Sequence, residues 1–280
     1  MCLPGTVEVV RGRAEQEGLP RINRRAALAG VAGAGMAAAF PRGASAEVQR
    51  ARRRRRVQDL THVFREGSPV FTGPEPERED LFTYAGAGFY SQRWTFGEHS
   101  GTHMDAPGHF VPGGRRTPQL RASELVVPLA VVDITEKAAR DPNAVVTRAD
   151  LRRFERRHGR IRRRSLVAMH SGWAAKIGDE RAYKGGDAYP GYNFPGWSEA
   201  AVRWLLEERR ISGIGVDTLS LDPGNSTTFP VHLLLLGADR YGLENLANLG
   251  RVRPRGTTAV VGVVPWEEGS GGPARVLALR

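Results

Sequence analysis

Three histidines and an aspartate crowd into one eleven-residue stretch, HSGTHMDAPGH at positions 99–109. The whole chain of 280 residues holds only seven histidines, so three in one such window stand out. His99, His103 and Asp105 bring imidazole nitrogens and a carboxylate together, a ligand set suited to zinc, manganese or iron. Downstream, the segment VHLLLLGADRYGLENLANL offers His232 and Glu244 as the other half of such a site. Taken alone, His232 beside Leu233–Leu236 reads as a buried core histidine. The single cysteine, Cys2, leaves the body of the chain without a disulfide, a thiolate ligand or a cysteine nucleophile.

These residues constrain the backbone that carries them. A helix over 99–105 would point Asp105 about 200° away from His103, and Gly101 and Pro107 would interrupt it. An extended segment instead puts 99, 103 and 105 on one face. Four residues of flat strand separate His99 from His103 by about 13 Å, too far to share one ion, so the chain must bend. Gly101 is the residue that permits the bend, and Pro107-Gly108 can turn His109 back over the site. His232 and Glu244 would lie about 18 Å apart on one continuous helix. They can meet only if the helix stops, and Gly237 is the expected stop.

The surrounding elements read as α/β. Residues 125–134, 165–171, 211–219 and 257–266 are β-rich apolar runs expected to form buried strands. Thr147 caps a helix to residue 158 with Asp150 in capping-box position, and Ser198 caps a second to residue 210. No repeat or Pro/Gly linker divides the body, so residues 59–280 are expected to form a single domain with a mixed β-sheet core and flanking helices. Residues 176–195 show no period and carry Tyr183, Tyr189, Tyr192 and Phe194. A loop of that length suggests a pocket rim.

The N-terminus reads as an address. Arg24-Arg25, the apolar run 26–40 and Ala44-Ser45-Ala46 have the layout of an export signal peptide of the twin-arginine type spanning residues 1–46. Fifteen apolar residues fall short of the roughly 20 that span a bilayer, so no stable membrane anchor is expected. The expected location is periplasmic or extracellular. Residues 47–58, with arginines 52–56, form a basic segment expected to be disordered. The net charge is +11, and removing residues 1–46 takes away six Arg and three Glu, leaving +8. The arginines lack the interleaved aromatics of a nucleic-acid platform, so nucleic acid is not an expected partner.

The pattern H-x-G-T-H-x-D-x-P-x-H, followed downstream by V-H-x(11)-E-x-L, resembles the bacterial metal-dependent cyclase family, whose members include kynurenine formamidase and isatin hydrolase. Every signature position is kept at 99–109, and Val231-His232 with Glu244-Asn245-Leu246 matches the second element. Ser171-Gly172-Trp173 and the run 215–222, GVDTLSLD, also match, so similarity extends from about Asp59 to Trp266. The resemblance implies a swivelling β/β/α fold and a homodimer. It implies one or two divalent ions, zinc or manganese, held by His99, His103, Asp105, His232 and Glu244. It makes His109 the general acid/base. Phe71 in Pro69-Val70-Phe71-Thr72-Gly73 stands where the formamidase has a substrate-contacting Trp.

The implied activity is that of an arylformamidase-like amidohydrolase acting in the manner of tryptophan catabolism on a small aromatic amide or lactam. A divalent ion would acidify the attacking water, and His109 would move a proton to the leaving group. Two other readings are open to the sequence. Ser171, with Asp222 and His232 downstream, suggests a serine hydrolase, although MHSGW at 169–173 lacks both glycines of G-x-S-x-G. A non-catalytic exported metal-binding protein would account for the ligands but not for His109.

Overall fold

The computed structural model describes residues 56–280 and Gly12. Apart from Gly12, the export signal read at 1–46, with Cys2, and the arginines at 52–55 lie outside the described residues. Twelve strands are found among the described residues. They are β1 (Val57–Asp59), β2 (Glu77–Phe82), β3 (Ser91–Thr95), β4 (His103–Asp105), β5 (Val126–Asp133) and β6 (Val145–Val146), then β7 (Leu166–His170), β8 (Gly196–Trp197), β9 (Gly213–Val216), β10 (Tyr241–Glu244), β11 (Thr257–Val263) and β12 (Gly271–Leu279). The longer helices are α1 (Arg148–His158), α2 (Glu180–Lys184), α3 (Glu199–Trp204) and α4 (Pro230–Gly237).

Two compact units divide the chain, one containing residues 77–95 and the other residues 55–76 and 96–280. In the first, β2 and β3 pair antiparallel with a bulge between Asp80 and Phe82. Phe82 and Phe89 pack at 5.0 Å near the turn. The sequence showed no strand here because β2 opens with four charged residues, Glu77-Arg78-Glu79-Asp80, all exposed.

The second unit is built on an eight-stranded mixed sheet in the order β1-β12-β11-β5-β7-β9-β10-β4, and β4 also pairs with β12 to close it. Strands β5, β7, β9 and β10 are parallel neighbours, while β4, β11 and β12 run antiparallel to theirs. Alternate side chains enter two cores. Val127, Leu129, Val131, Leu166 and Ala168 join the core inside the sheet, and Ala130, Val132, Val167 and Met169 face the helices. Burial on both faces explains why β5 and β7 read as unbroken apolar runs. This is the α/β architecture expected from the sequence.

The helices bear out their caps. Thr147 Oγ1 accepts from the Asp150 amide and Asp150 reaches back to the Thr147 amide, so α1 starts with a capping box. Ser198 caps α3, which continues as a π-turn over Leu205–Arg209 to the left-handed Arg210. Two strands are shorter than expected: β9 ends at Val216 and β11 at Val263. The nine-residue β12 was not visible in the sequence because it opens with Gly271-Gly272-Pro273, a turn-like string.

The 176–195 segment corrects an expectation. It holds α2, and Tyr183, Tyr192 and Phe194 are buried with Trp173 and Leu219 in a core of their own. Only Tyr189 of its aromatics stays half-buried against that core. An aromatic with no visible period reads as rim because the sequence does not show what covers it.

Candidate metal centre

The site forms where the short strand β4 meets β10 at the carboxyl end of the parallel strands. Alternation along β4 sends Met104 into the inner core and turns His103 and Asp105 to the opposite side. Antiparallel register places Glu244 directly across from His103. Opposed residues of such a pair hold their side chains in reach of each other, and His103 Nε2 lies 3.3 Å from Glu244 Oε2. Gly242 and Gly271 sit opposite Asp105 on its two neighbouring strands. Gly271 is required for a close approach: a Cβ there would lie 2.5 Å from the His99 ring.

His99 arrives from the preceding loop. The chain bends between His99 and His103 with Gly101 at φ +60°, as the spacing required. His99 Nδ1 lies 2.7 Å from Asp105 Oδ1, and Ser270 Oγ, which donates to Glu98, faces its Nε2 at 3.1 Å. With Nε2–H engaged by Ser270, Nδ1 is the nitrogen left for a ligand beside Asp105.

His232 comes from the first turn of α4, which ends at Gly237 so that β10 can return Glu244 beneath it. Its Nε2 is 3.1 Å from Glu244 Oε1 and 3.5 Å from Asp105 Oδ2. The fully buried Asp222 does two jobs here. It accepts the Val231 and His232 amides, capping α4, and it accepts His232 Nδ1–H at 2.7 Å. His103 is held in the same way: its Nδ1–H donates to the Gly101 carbonyl at 2.9 Å. That carbonyl also accepts Asn245 Nδ2 at 2.8 Å, and Tyr183 donates to Asn245 Oδ1 at 2.8 Å. Both imidazoles therefore present Nε2 to the site, the orientation that outer hydrogen bonds impose on metal-binding histidines.

The five residues form two overlapping groups, His99–His103–Asp105 and Asp105–His232–Glu244, with donor atoms inside 4.8 Å of one another. His103, Asp105, His232 and Glu244 are buried. Burial would raise Asp105, but hydrogen bonds from His103, His232 and His99 hold it well below the usual carboxylate range. Burial would lower His103, but Asp105 and Glu244 lift it to about 10. His232 is likewise raised against its burial by Asp105, Asp222 and Glu244. A potential that favours protonated imidazole is one that favours a cation. Asp105 Oδ2 is buried with His232 Nε2 at 3.5 Å and no well-formed hydrogen bond, which is costly unless a positive charge meets it. The donor set fits a divalent metal.

His109 follows in the 3₁₀ turn Pro107–His109 and stacks on His99, ring centroids 3.7 Å apart at 23°. Burial pushes it down to about 4, so it is neutral near pH 7. Two aromatics that the sequence did not single out complete the surroundings. Phe110 stacks on His232 at 4.8 Å, and Phe229 lies 5.8 Å from Phe110 and 5.7 Å from Phe71. A bridge between Val70 and Ser100 ties the Phe71 segment to the ligand loop.

A model of the cyclase family matches residues 58–223. The chain belongs to the cyclase family. Among curated relatives of this cyclase, isatin hydrolase of Roseibium aggregatum is 32% identical over 241 residues, covering 80% of this chain and 91% of the relative. Kynurenine formamidase of Erythrobacter litoralis is 27% identical over 198 residues, covering 69% and 79%. The solved structure of isatin hydrolase A from Ralstonia solanacearum superposes with a TM-score of 0.77 at 32% identity, covering 88% of this chain and 99% of that one. These relatives are hydrolases.

The serine-hydrolase alternative is corrected by the geometry. Ser171 Oγ donates to Asp217 at 2.6 Å, while His232 turns Nε2 to the cluster carboxylates Asp105 and Glu244 and Nδ1 to Asp222. Asp222, cast there as a triad acid, instead caps α4 and orients His232.

Proposed function

We propose that this cyclase is a metal-dependent amidohydrolase that opens the C–N bond of a small aromatic amide or lactam. The observation that carries the reading is a half-buried His109 stacked on His99 beside a five-ligand cluster, four of whose members are buried, under a run of aromatic rings. A storage site needs the ligands but has no use for such a base. His99, His103, Asp105, His232 and Glu244 would hold one or two divalent ions, zinc or manganese. When bound, the metal supplies Lewis acidity, acidifying water and polarising a carbonyl oxygen.

The remaining chemistry belongs to the chain. Phe71, Phe110 and Phe229 offer faces and edges on which an aryl ring can settle beside the site. His109 takes a proton from the attacking water as the C–O bond forms. It then returns that proton to the nitrogen as the C–N bond breaks, leaving an amine and a carboxylic acid, which releases its own proton to solvent. Gly101 and Asp222 hold His103 and His232 in place throughout. The likeness to isatin hydrolase and kynurenine formamidase supports an aryl substrate with a hydrolysable C–N bond.

The test is metal analysis of the purified mature chain, joined to kcat/KM for isatin, N-formylkynurenine and matched aliphatic formamides and lactones. Metal-dependent turnover with an aryl preference is expected. An aliphatic preference of about tenfold or more would remove the aromatic part and leave the metal hydrolase. His103→Ala and Asp105→Ala should each strip both metal and activity.

A further inference from the structure

The parallel strands have a second pole. Their carboxyl ends carry the metal centre, while an arginine precedes each: Arg164 leads into β7, Arg210 into β9 and Arg240 into β10, and Arg121 opens the helical turn over Ala122–Leu125 that runs into β5. These strands are successive neighbours in the sheet. At a spacing of about 4.8 Å between strands, the row spans roughly 15 Å. The four residues, with Arg163, line a cavity of about 380 Å³. A second concavity of about 560 Å³ shares Arg163 and Arg210 and adds Arg160, Arg162 and Arg209. Together the two are lined by eight arginines against three glutamates.

Part of this charge is already matched. Arg209 pairs with Glu155, and Arg121 pairs with Glu124. Among the described residues, Arg163, Arg164 and Arg210 have no carboxylate partner. The backbone that carries them is fixed. Arg164 and Arg210 both adopt left-handed φ, +59° and +47°, and the Arg164 amide donates to the Arg210 carbonyl at 3.0 Å. Ser165 and Ser212 tie down the Arg162 and Arg164 carbonyls. Bulky residues rarely take this conformation, so the surrounding hydrogen bonds hold both in place. Three like charges on a rigid frame repel one another, and a multiply charged anion relieves that repulsion.

We propose that this edge is a second binding site, taking a ligand that carries several phosphate or sulfate groups. One small anion would meet one or two guanidinium groups, whereas the row engages several at once. The site lies at the far end of the strands from His103 and Glu244, so its occupation leaves the metal centre open.

The test uses the full metal-loaded chain and two probes at about 0.15 M salt, where weak surface attraction is screened. Sucrose octasulfate, a weak chelator, is titrated by calorimetry, and phosphatidylglycerol vesicles are tested by co-sedimentation. Binding of the octasulfate identifies a soluble polyanion, and binding of vesicles alone identifies a lipid headgroup. The variant Arg163→Gln, Arg164→Gln, Arg210→Gln should lose at least about tenfold in affinity. Its turnover at the metal centre should be unchanged, which also reports that it folds. A control with the same charge loss on exposed arginines elsewhere, Arg152→Gln, Arg156→Gln, Arg253→Gln, should retain binding. Failure of both probes to bind overturns the proposal, as does an equal loss in the control.

Discussion

Replacing Asp222 with Asn changes one atom and tests whether this carboxylate sets the His232 tautomer. Asp222 Oδ2 accepts both the His232 amide at 3.1 Å and Nδ1–H at 2.7 Å, while Oδ1 accepts the Val231 amide at 2.9 Å. An Asn has one acceptor oxygen, so either rotamer faces a donor with its NH₂. If the NH₂ meets His232 Nδ1, that nitrogen must become the acceptor and the proton moves to Nε2. The lone pair that points at Asp105 and Glu244 is then lost, and metal affinity falls about 10–100-fold, the usual cost of removing such a partner. If the NH₂ meets the Val231 amide, a buried N–H is left unpaired at about 1–3 kcal/mol. Each kcal/mol lowers Tm by roughly 2–4 °C in a domain of this size. The assay is competition for zinc or manganese against a chromophoric chelator, run beside a thermal melt. A variant that binds metal within about twofold of the parent and melts at the same temperature would refute the reasoning.

Four further outcomes are expected. His109→Ala should keep most of its metal yet lose roughly 10²–10⁴ in kcat, and unchanged turnover would remove His109 from the mechanism. Phe71→Ala should raise KM for an aryl amide more than for an aliphatic one, by the roughly 0.5–1.5 kcal/mol of a ring contact; equal effects would deny it a substrate role. Burial would raise Asp150, but Lys137 and Thr147 hold it below its ordinary value of 3.8. Its contribution to stability is therefore full above that value and is lost as pH falls through the depressed one. Asp150→Asn should cost about 1–2 kcal/mol at pH 7 and progressively less in acid, a gap that denaturant melts at several pH values would show. Arg24→Lys with Arg25→Lys should leave uncleaved precursor in the cytoplasm; mature protein outside the cell would rule out the twin-arginine route.

Much of this protein is local and could be read directly. The capping box of α1 and the apolar runs of β5 and β7 depend on residues within a few positions of one another, so a linear string shows them. The bend at Gly101, the stop at Gly237 and the turn that brings His109 over His99 are of the same kind, because each follows from a reach or angle that the spacing imposes. Other features needed the folded chain. Only the register of β4 against β10 puts Glu244 opposite His103, and only the start of β12 explains a glycine at 271, where the His99 ring leaves no room for a side chain. Asp222 looked like a triad acid until α4 was seen to begin on it. Tyr183, Tyr192 and Phe194 looked like rim until Trp173 and Leu219 closed over them. The Ser270 hydroxyl reaches Glu98 and His99 across more than 170 residues. Period, capping and turn chemistry belong to neighbouring residues and survive in the sequence; strand register, cover and long-range hydrogen bonds are set by which surfaces meet, and that is decided only when the sheet closes.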